Sequence, residues 1–261
     1  MDDDGHQASR PLRGARSPMS GAQRVRDGLN AALAGRGGSD LASRLCGACV
    51  DLLAVDGAAL SVIHDESLRG SLGASSPLSH ELDELQFTFG EGPCLDAVRS
   101  KAPVLVGDLD DAQARWPAFA AAAMGRGVRA VFALPVSVSG IPVGALDLYR
   151  TGTGDLDAAE LTNSLIAAQF AALPLLDVMS GDMDAAVDDD GSAAWDALSS
   201  LSRTEVYQAT GMLIAQLGVG PPEALVRLRG YAFAHDMTAS EVAWEIIGRR
   251  LRLDDDRNDE S

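Results

Sequence analysis

An α+β fold, an antiparallel sheet packed with helices and then three further helices, is predicted by three observations. Two pairs of apolar runs, 58–74 and 130–149, each break at a polar or Gly-Pro turn, as hairpins do. Helical apolar spacing flanks both pairs, as in Leu41, Leu45, Cys49 and Leu52 at i, i+4, i+8 and i+11. Past residue 181 the composition changes, with an acidic stretch leading into a region that has Arg as its only base.

In chain order, residues 1–20 are rich in Ser, Gly, Pro and Arg without periodicity and read as a disordered arm. Arg24–Leu33 and Leu41–Leu53 read as helices. Ala58–His64 and Leu68–Ala74 read as paired strands around Asp65-Glu66. Residues 79–100 hold two short helices separated by Phe89-Gly90-Glu91-Gly92-Pro93, followed by a short strand Val104–Val106. Ala118–Met124 is helical behind Trp116-Pro117. Ala130–Val138 and Val143–Tyr149 flank the turn Ser139-Gly140-Ile141-Pro142. A long helix from Leu156 to Met179 follows, with Asp155 or Thr153 as its N-cap and Pro174 as a point of bending. This sets a sensor-sized first domain at 21–180. An acidic linker occupies 181–194, because like charges packed so densely resist burial.

The last three helices occupy 195–253. The first runs from Trp195 to Leu217 and closes on Gly218. The second starts at Pro221-Pro222-Glu223, where Pro suits a first turn, and the third opens on the capping box Thr238-Ala239-Ser240-Glu241. Residues 254–261 form an acidic tail.

Charge first argues against nucleic acid. The chain has 21 Lys+Arg against 38 Asp+Glu, a net charge of −17. Read by segment, the acid sits in the first domain, the linker and the tail, whereas 203–253 carry six Arg and five acids. A polyanionic partner of that segment is therefore allowed, held by shape and a few Arg contacts with a shallow salt dependence. No uninterrupted run of eighteen apolar residues suggests a membrane span, and the acidic start Met1-Asp2-Asp3-Asp4 does not resemble a secretory signal. Three cysteines are too few for a disulfide scaffold, and a cytoplasmic setting is expected.

The run Arg203-Thr204-Glu205-Val206-Tyr207-Gln208-Ala209-Thr210-Gly211-Met212-Leu213, with Glu223-Ala224-Leu225 and Leu228-Arg229-x-x-Ala232, resembles the ANTAR domain. That family is a three-helix RNA-binding module of transcription antitermination regulators. Many members carry Lys where this chain has Thr210, which leaves Arg203, Arg227 or Arg229 to supply the charge. The preceding region is similar to the GAF domain, a small-molecule-sensing α/β fold. That resemblance rests on Gly90-Glu91-Gly92-Pro93-Cys94-Leu95-Asp96-Ala97, Asp108-Leu109, Arg115-Trp116-Pro117 and Leu134-Pro135-Val136. A GAF sensor followed by ANTAR implies a non-enzymatic, cytoplasmic antitermination regulator of the actinobacterial type. Its partners would be a stem-loop in nascent RNA, a small-molecule ligand of unspecified chemistry and a second copy of itself; no cofactor or metal is implied. A reading from a different class makes the C-terminal helices a protein-docking module of a signalling adaptor.

On a helical wheel Val206, Leu213 and Leu217 form a seam with Ala209 at its margin, opposite Gln208, Gly211, Met212 and Ala215. A Gly inside a helix costs about 0.5–1 kcal/mol relative to Ala, so Gly211 answers either to close helix packing or to close approach of RNA. Tyr207 and Tyr231 are either stacking platforms or core. The RNA-contact set is thus Arg203, Gln208, Thr210, Gly211, Met212, Arg227, Arg229 and Tyr231. Solvation or local ion pairs compete for the arginines, including an Arg249–Glu245 pair. Cys46 and Cys49 lie three apart on an amphipathic helix and read as small buried hydrophobes. Gly92 and Cys94 mark the sensor pocket, which is expected to be apolar. Cys94 sits at a helix start where a dipole lowers a thiol pKa, against burial, which raises it. Gly90–Pro93 is either an anion cradle or a plain reversal. A GAF-type free methionine sulfoxide reductase also uses three cysteines, one in a similar turn, but here the other two lie far upstream on a helix.

Overall fold

The computed structural model describes residues 20–34, 41–64, 67–176 and 203–253. The predicted linker, the tail, most of the N-terminal arm, and residues 195–202 of the predicted first C-terminal helix lie outside them.

Strands β1 (Gly57–His64), β2 (Ser67–Ala74), β3 (Val104–Val106), β4 (Ala130–Val138) and β5 (Ile141–Arg150) form one sheet in the order β2-β1-β5-β4-β3, each neighbouring pair antiparallel. The β4–β5 turn is shorter than expected. Ser139 and Gly140 alone make it, both at positive φ (51° and 80°), which matches the right-handed twist of the strands. Ile141 and Pro142 therefore belong to β5.

Alternation sorts each strand between two covered faces. Ala58, Leu60, Val62, Phe132, Leu134, Val136, Leu146 and Leu148 are buried on one face. Helices α1 (Gly21–Leu33), α2 (Leu41–Leu52) and α6 (Ala158–Phe170) cover it, contributing Leu29, Leu45, Cys49 and Ile166. The other face presents Val131, Ala133 and Tyr149 to α3 (Pro77–Phe89), α4 (Pro93–Ser100) and α5 (Pro117–Gly125). A polar residue on the central strand β5 consequently has no solvent side to escape to.

Caps fix the helix starts. Ser20 caps α1 and Ser76 caps α3, each accepting from a backbone N–H three residues on. The cap of α6 is Asp157, not Asp155 or Thr153, because Glu160 completes a capping box with it and also pairs with Arg150 at 2.7 Å. Helical turns continue to Leu176, and Ala158–Leu176 has the length and composition to cross a membrane. Here Ile166, Ala167, Ala171 and Leu175 of that stretch fill the core instead.

At Gly73, β2 passes under α2 so closely that an added Cβ would lie 2.5 Å from Ser43 N and 2.6 Å from the Ala42 carbonyl carbon. Backbone cannot yield as a side-chain tip does. Gly73→Ala should lower stability by about 1–3 kcal/mol, read as a shift in denaturation midpoint at unchanged slope.

Candidate functional site

The C-terminal helices are α7 (Thr204–Leu217), α8 (Pro221–Ala234) and α9 (Ala239–Ile247). Gly218 ends α7 in the left-handed region, Pro221 opens α8, and the Thr238–Glu241 capping box starts α9. Val206, Ala209, Leu213 and Leu217 of α7 are buried against Ala224, Leu228 and Ala232 of α8 and Val242, Ala243 and Ile246 of α9. Alanines at the crossings let three short helices approach closely with little side-chain ordering to offset.

Opposite that seam, Gln208, Gly211 and Ala215 are exposed and Met212 is half-buried. An added Cβ on Gly211 would meet nothing within 4 Å, so helix packing does not account for this glycine. Thr210 departs from the expected surface set. It is buried, and its hydroxyl donates to the Val206 carbonyl at 2.7 Å, the local bond that lets a threonine face inward in a helix. Tyr231 is half-buried and stacks on His235, ring centroids 3.9 Å apart. Arg227 pairs with Glu223 one turn earlier at 2.9 Å. Glu245 pairs with Arg250 rather than Arg249, because Arg249 has left the helix at φ +56°.

Arg203 is the largest departure. It stands at φ +64°, just before α7, and its side chain is 2% exposed, not presented to solvent. Its Nη2 lies 2.7 Å from Asp83 Oδ2 and its Nε 2.7 Å from Glu84 Oε1, both on α3 of the first domain. The guanidinium carbon sits 4.1 Å from the centre of the Phe87 ring, also on α3. Arg229 lies over the same ring at 4.3 Å; burial pushes its pKa down to about 10, and the Arg203 charge adds to the effect. Ser240 Oγ donates to Glu84 Oε2 at 2.8 Å and the Ala239 N–H donates to Thr88 Oγ1 at 2.9 Å, so α9 is tied to α3 as well. Helix α3 thus makes the main described contact with the C-terminal helices, and Ile63, Cys94, Leu95, Val98 and Ala145 share a buried cluster with them.

Behind α3, a cavity of about 10 Å³, space for one water, lies against the sheet. Ala59, Leu82, Phe119, Val131 and Leu148 give it mostly apolar walls, and Ser79, Asp83, Gln86 and Tyr149 join Asp147 of β5 around it. Register places Asp147 between Ala59 and Ala133, small neighbours that leave it room. Burial pushes its carboxyl up to about 7; the Gln86 amide opposes this and the Asp83 charge adds to it. Gln86 Nε2 donates to Asp147 Oδ2 at 2.6 Å, and its Oε1 accepts the Cys94 N–H at 2.8 Å. A backbone donor at the start of α4 is therefore spent internally, which argues for a plain reversal at Gly90–Pro93. Gly92 and Cys94 do not line this cavity.

All three cysteines are buried. Burial raises the Cys94 thiol well above its ordinary value, outweighing any helix-start effect, and does the same for Cys46 and, to about 12, Cys49. Sequence reasoning missed Asp83, Glu84, Phe87 and Asp147. A larger cleft, about 700 Å³, opens between α3, α5 and the α8–α9 joint, where Phe89 and the exposed Phe233 meet edge to face.

Residues 39–173 match the model of the GAF domain family, and residues 199–247 match that of the ANTAR domain. No curated protein matches the chain. Among solved structures, the GAF domain of a phosphoenolpyruvate-protein phosphotransferase from Coxiella burnetii is 14% identical, with 61% of this chain and 94% of that one covered and a TM-score of 0.49. Free methionine-R-sulfoxide reductase from Neisseria meningitidis is 14% identical, with 63% and 96% covered and a TM-score of 0.47. The Staphylococcus aureus protein fRMsr is 12% identical, with 59% and 94% covered and a TM-score of 0.46.

Proposed function

Because the chain belongs to the GAF domain family and carries an ANTAR domain behind its sensor, we propose that it is a signal-responsive, RNA-binding regulator that prevents transcription termination. The ANTAR helices would bind a hairpin in the nascent transcript, in the cytoplasm, as a homodimer in which two modules engage two loops and gain from effective concentration.

One observation carries the reading. Gly211 pays the helix penalty of glycine yet touches no other part of the described protein. It lies among Gln208, Met212 and Ala215, with no charged side chain to hold a splayed base away from the backbone. Arg227 and Tyr231 lie on the neighbouring α8 and would contact phosphate and base. Arg203 and Arg229 would join only in an arrangement where α3 no longer covers them. The closed arrangement, with both arginines on Phe87, therefore has the lower RNA affinity.

Gel shifts with the full chain should show binding to paired-loop hairpins that Gly211→Glu weakens at least about ten-fold, with helix content unchanged. Equal weak binding to all RNAs, indifferent to Gly211→Glu, would sink the proposal. The exposure of Val226, Phe233 and Trp244 favours a second reading, a protein-docking adaptor. Pull-downs whose captured partners survive ribonuclease would support that one.

A further inference from the structure

Arg203 is held as a bound ligand would be. Its receptor is entirely in the sensor, some 119 positions away along the chain, and comprises two carboxylates and one aromatic face on α3. The side chains of Asp83 and Glu84 are 0% and 8% exposed. Asp83 Oδ1 is taken by the Ser61 hydroxyl and Glu84 Oε2 by Ser240, so one acceptor oxygen on each carboxylate is left for the guest. Those two oxygens receive Nη2 and Nε of the same planar group while its carbon lies over Phe87. This pattern selects a guanidinium over an ammonium. Two donors at fixed separation meet two separate carboxylates, and a flat cation stacks on a ring where a tetrahedral one does not. Arg203 Nη1 is buried without a hydrogen-bond partner among the described residues.

We propose that α3 carries a guanidinium-binding site of which Arg203 is the resident occupant, and that a small guanidinium compound competes for it and frees the RNA module. The site stands on geometry alone; its consequence for RNA rests on the regulator reading above. Asp83 joins the two roles, since it lines the sensor cavity on one side and holds Arg203 on the other. No bond is made or broken. One cation replaces another on the same two carboxylates.

The test is chemical complementation in the full chain. Arg203→Ala vacates the site, and methylguanidinium should then raise its Tm by about 3 °C or more at about ten times the dissociation constant. Methylammonium at equal concentration should do much less, and adding Asp83→Asn should abolish the response. Arg203→Lys keeps the charge without the fork and serves as the vacated site if the alanine variant does not fold. Rescue that is equal for methylguanidinium and methylammonium, or absent from both variants, overturns the site. On the wild-type chain methylguanidinium should tighten hairpin binding. If complementation holds while RNA affinity stays flat, the site stands and the regulator reading falls.

Discussion

The pair Asp83→Asn with Glu84→Gln is expected to cost the closed arrangement about 3–5 kcal/mol and to raise affinity for RNA. Both changes keep the volume of the side chain, so no cavity forms. What they remove is the charge that makes it tolerable to keep Arg203 at 2% exposure. A guanidinium without a counter-charge does not stay buried where a rigid-body movement can hydrate it. The same two carboxylates raise the Arg203 pKa against the desolvation that lowers it, and without them only desolvation is left. Turning Arg203 out to water also withdraws Ser240 and the Ala239 N–H from Glu84 and Thr88, so the ties of α9 go together. The halves also share apolar contact, since Ile63, Phe87, Cys94, Leu95, Val98 and Ala145 lie in one buried cluster with the C-terminal helices, and that contact opposes the opening. Hydrogen exchange reads this directly. The Ala239 amide should lose protection while amides of β4 and β5 keep theirs. Protection at Ala239 that survives the double substitution, with unchanged RNA affinity, would mean that the acidic pair does not hold the halves together.

Legibility in the sequence divides along the same contact. The hairpins, the three C-terminal helices and the Thr238 capping box could be read because their signals are local: alternation, Gly-Pro turns and cap spacing. Helix α3 could not. Leu82, Leu85 and Phe89 form an ordinary core stripe, and Asp83 and Glu84 then look like its solvated face. Glu84 is covered by a module from a distant part of the chain, and Asp83 lies between that module and Ser61 of β1; no local pattern encodes either. Arg203 is buried for the same reason, although a basic residue inside the predicted helix Trp195–Leu217 reads as surface until its partner is known. Asp147 failed differently. In Gly144-Ala145-Leu146-Asp147-Leu148-Tyr149, period two assigns Asp147 to the face away from Leu146 and Leu148, normally the wet one. Helices cover both faces here, and Ala145 and Leu146 are equally buried. The burial of Asp147 follows from that second layer.

That buried carboxyl makes the second large effect a matter of pH. Asp147 has its pKa raised from 3.8 to about 7, mainly by burial, with Gln86 on α3 and Cys94 on α4 opposing and Asp83 on α3 adding to the rise. The folded chain therefore holds a proton that the unfolded chain has released between those two values. The contribution of the group to stability is complete below pH 3.8 and falls as pH rises through 7, by about 1.4 kcal/mol per pH unit inside the window. Between pH 5 and pH 8 the loss comes to roughly 3 kcal/mol, or about 5–10 °C in Tm for a chain of this size. Asp147→Asn should remove this slope. Asparagine keeps an acceptor for the Gln86 amide and carries no charge to desolvate, so the variant should match the wild type only below pH 3.8 and exceed it by a margin that grows from pH 5 to pH 8. The difference in Tm between the two proteins, taken across pH at constant ionic strength, isolates this group from every other carboxylate. A difference that is flat from pH 5 to 8 would mean that Asp147 ionises as easily in the folded chain as in the unfolded one. A difference that grows would make the sensor core itself responsive to a proton near neutrality, one carboxyl away from the residue that holds the RNA module.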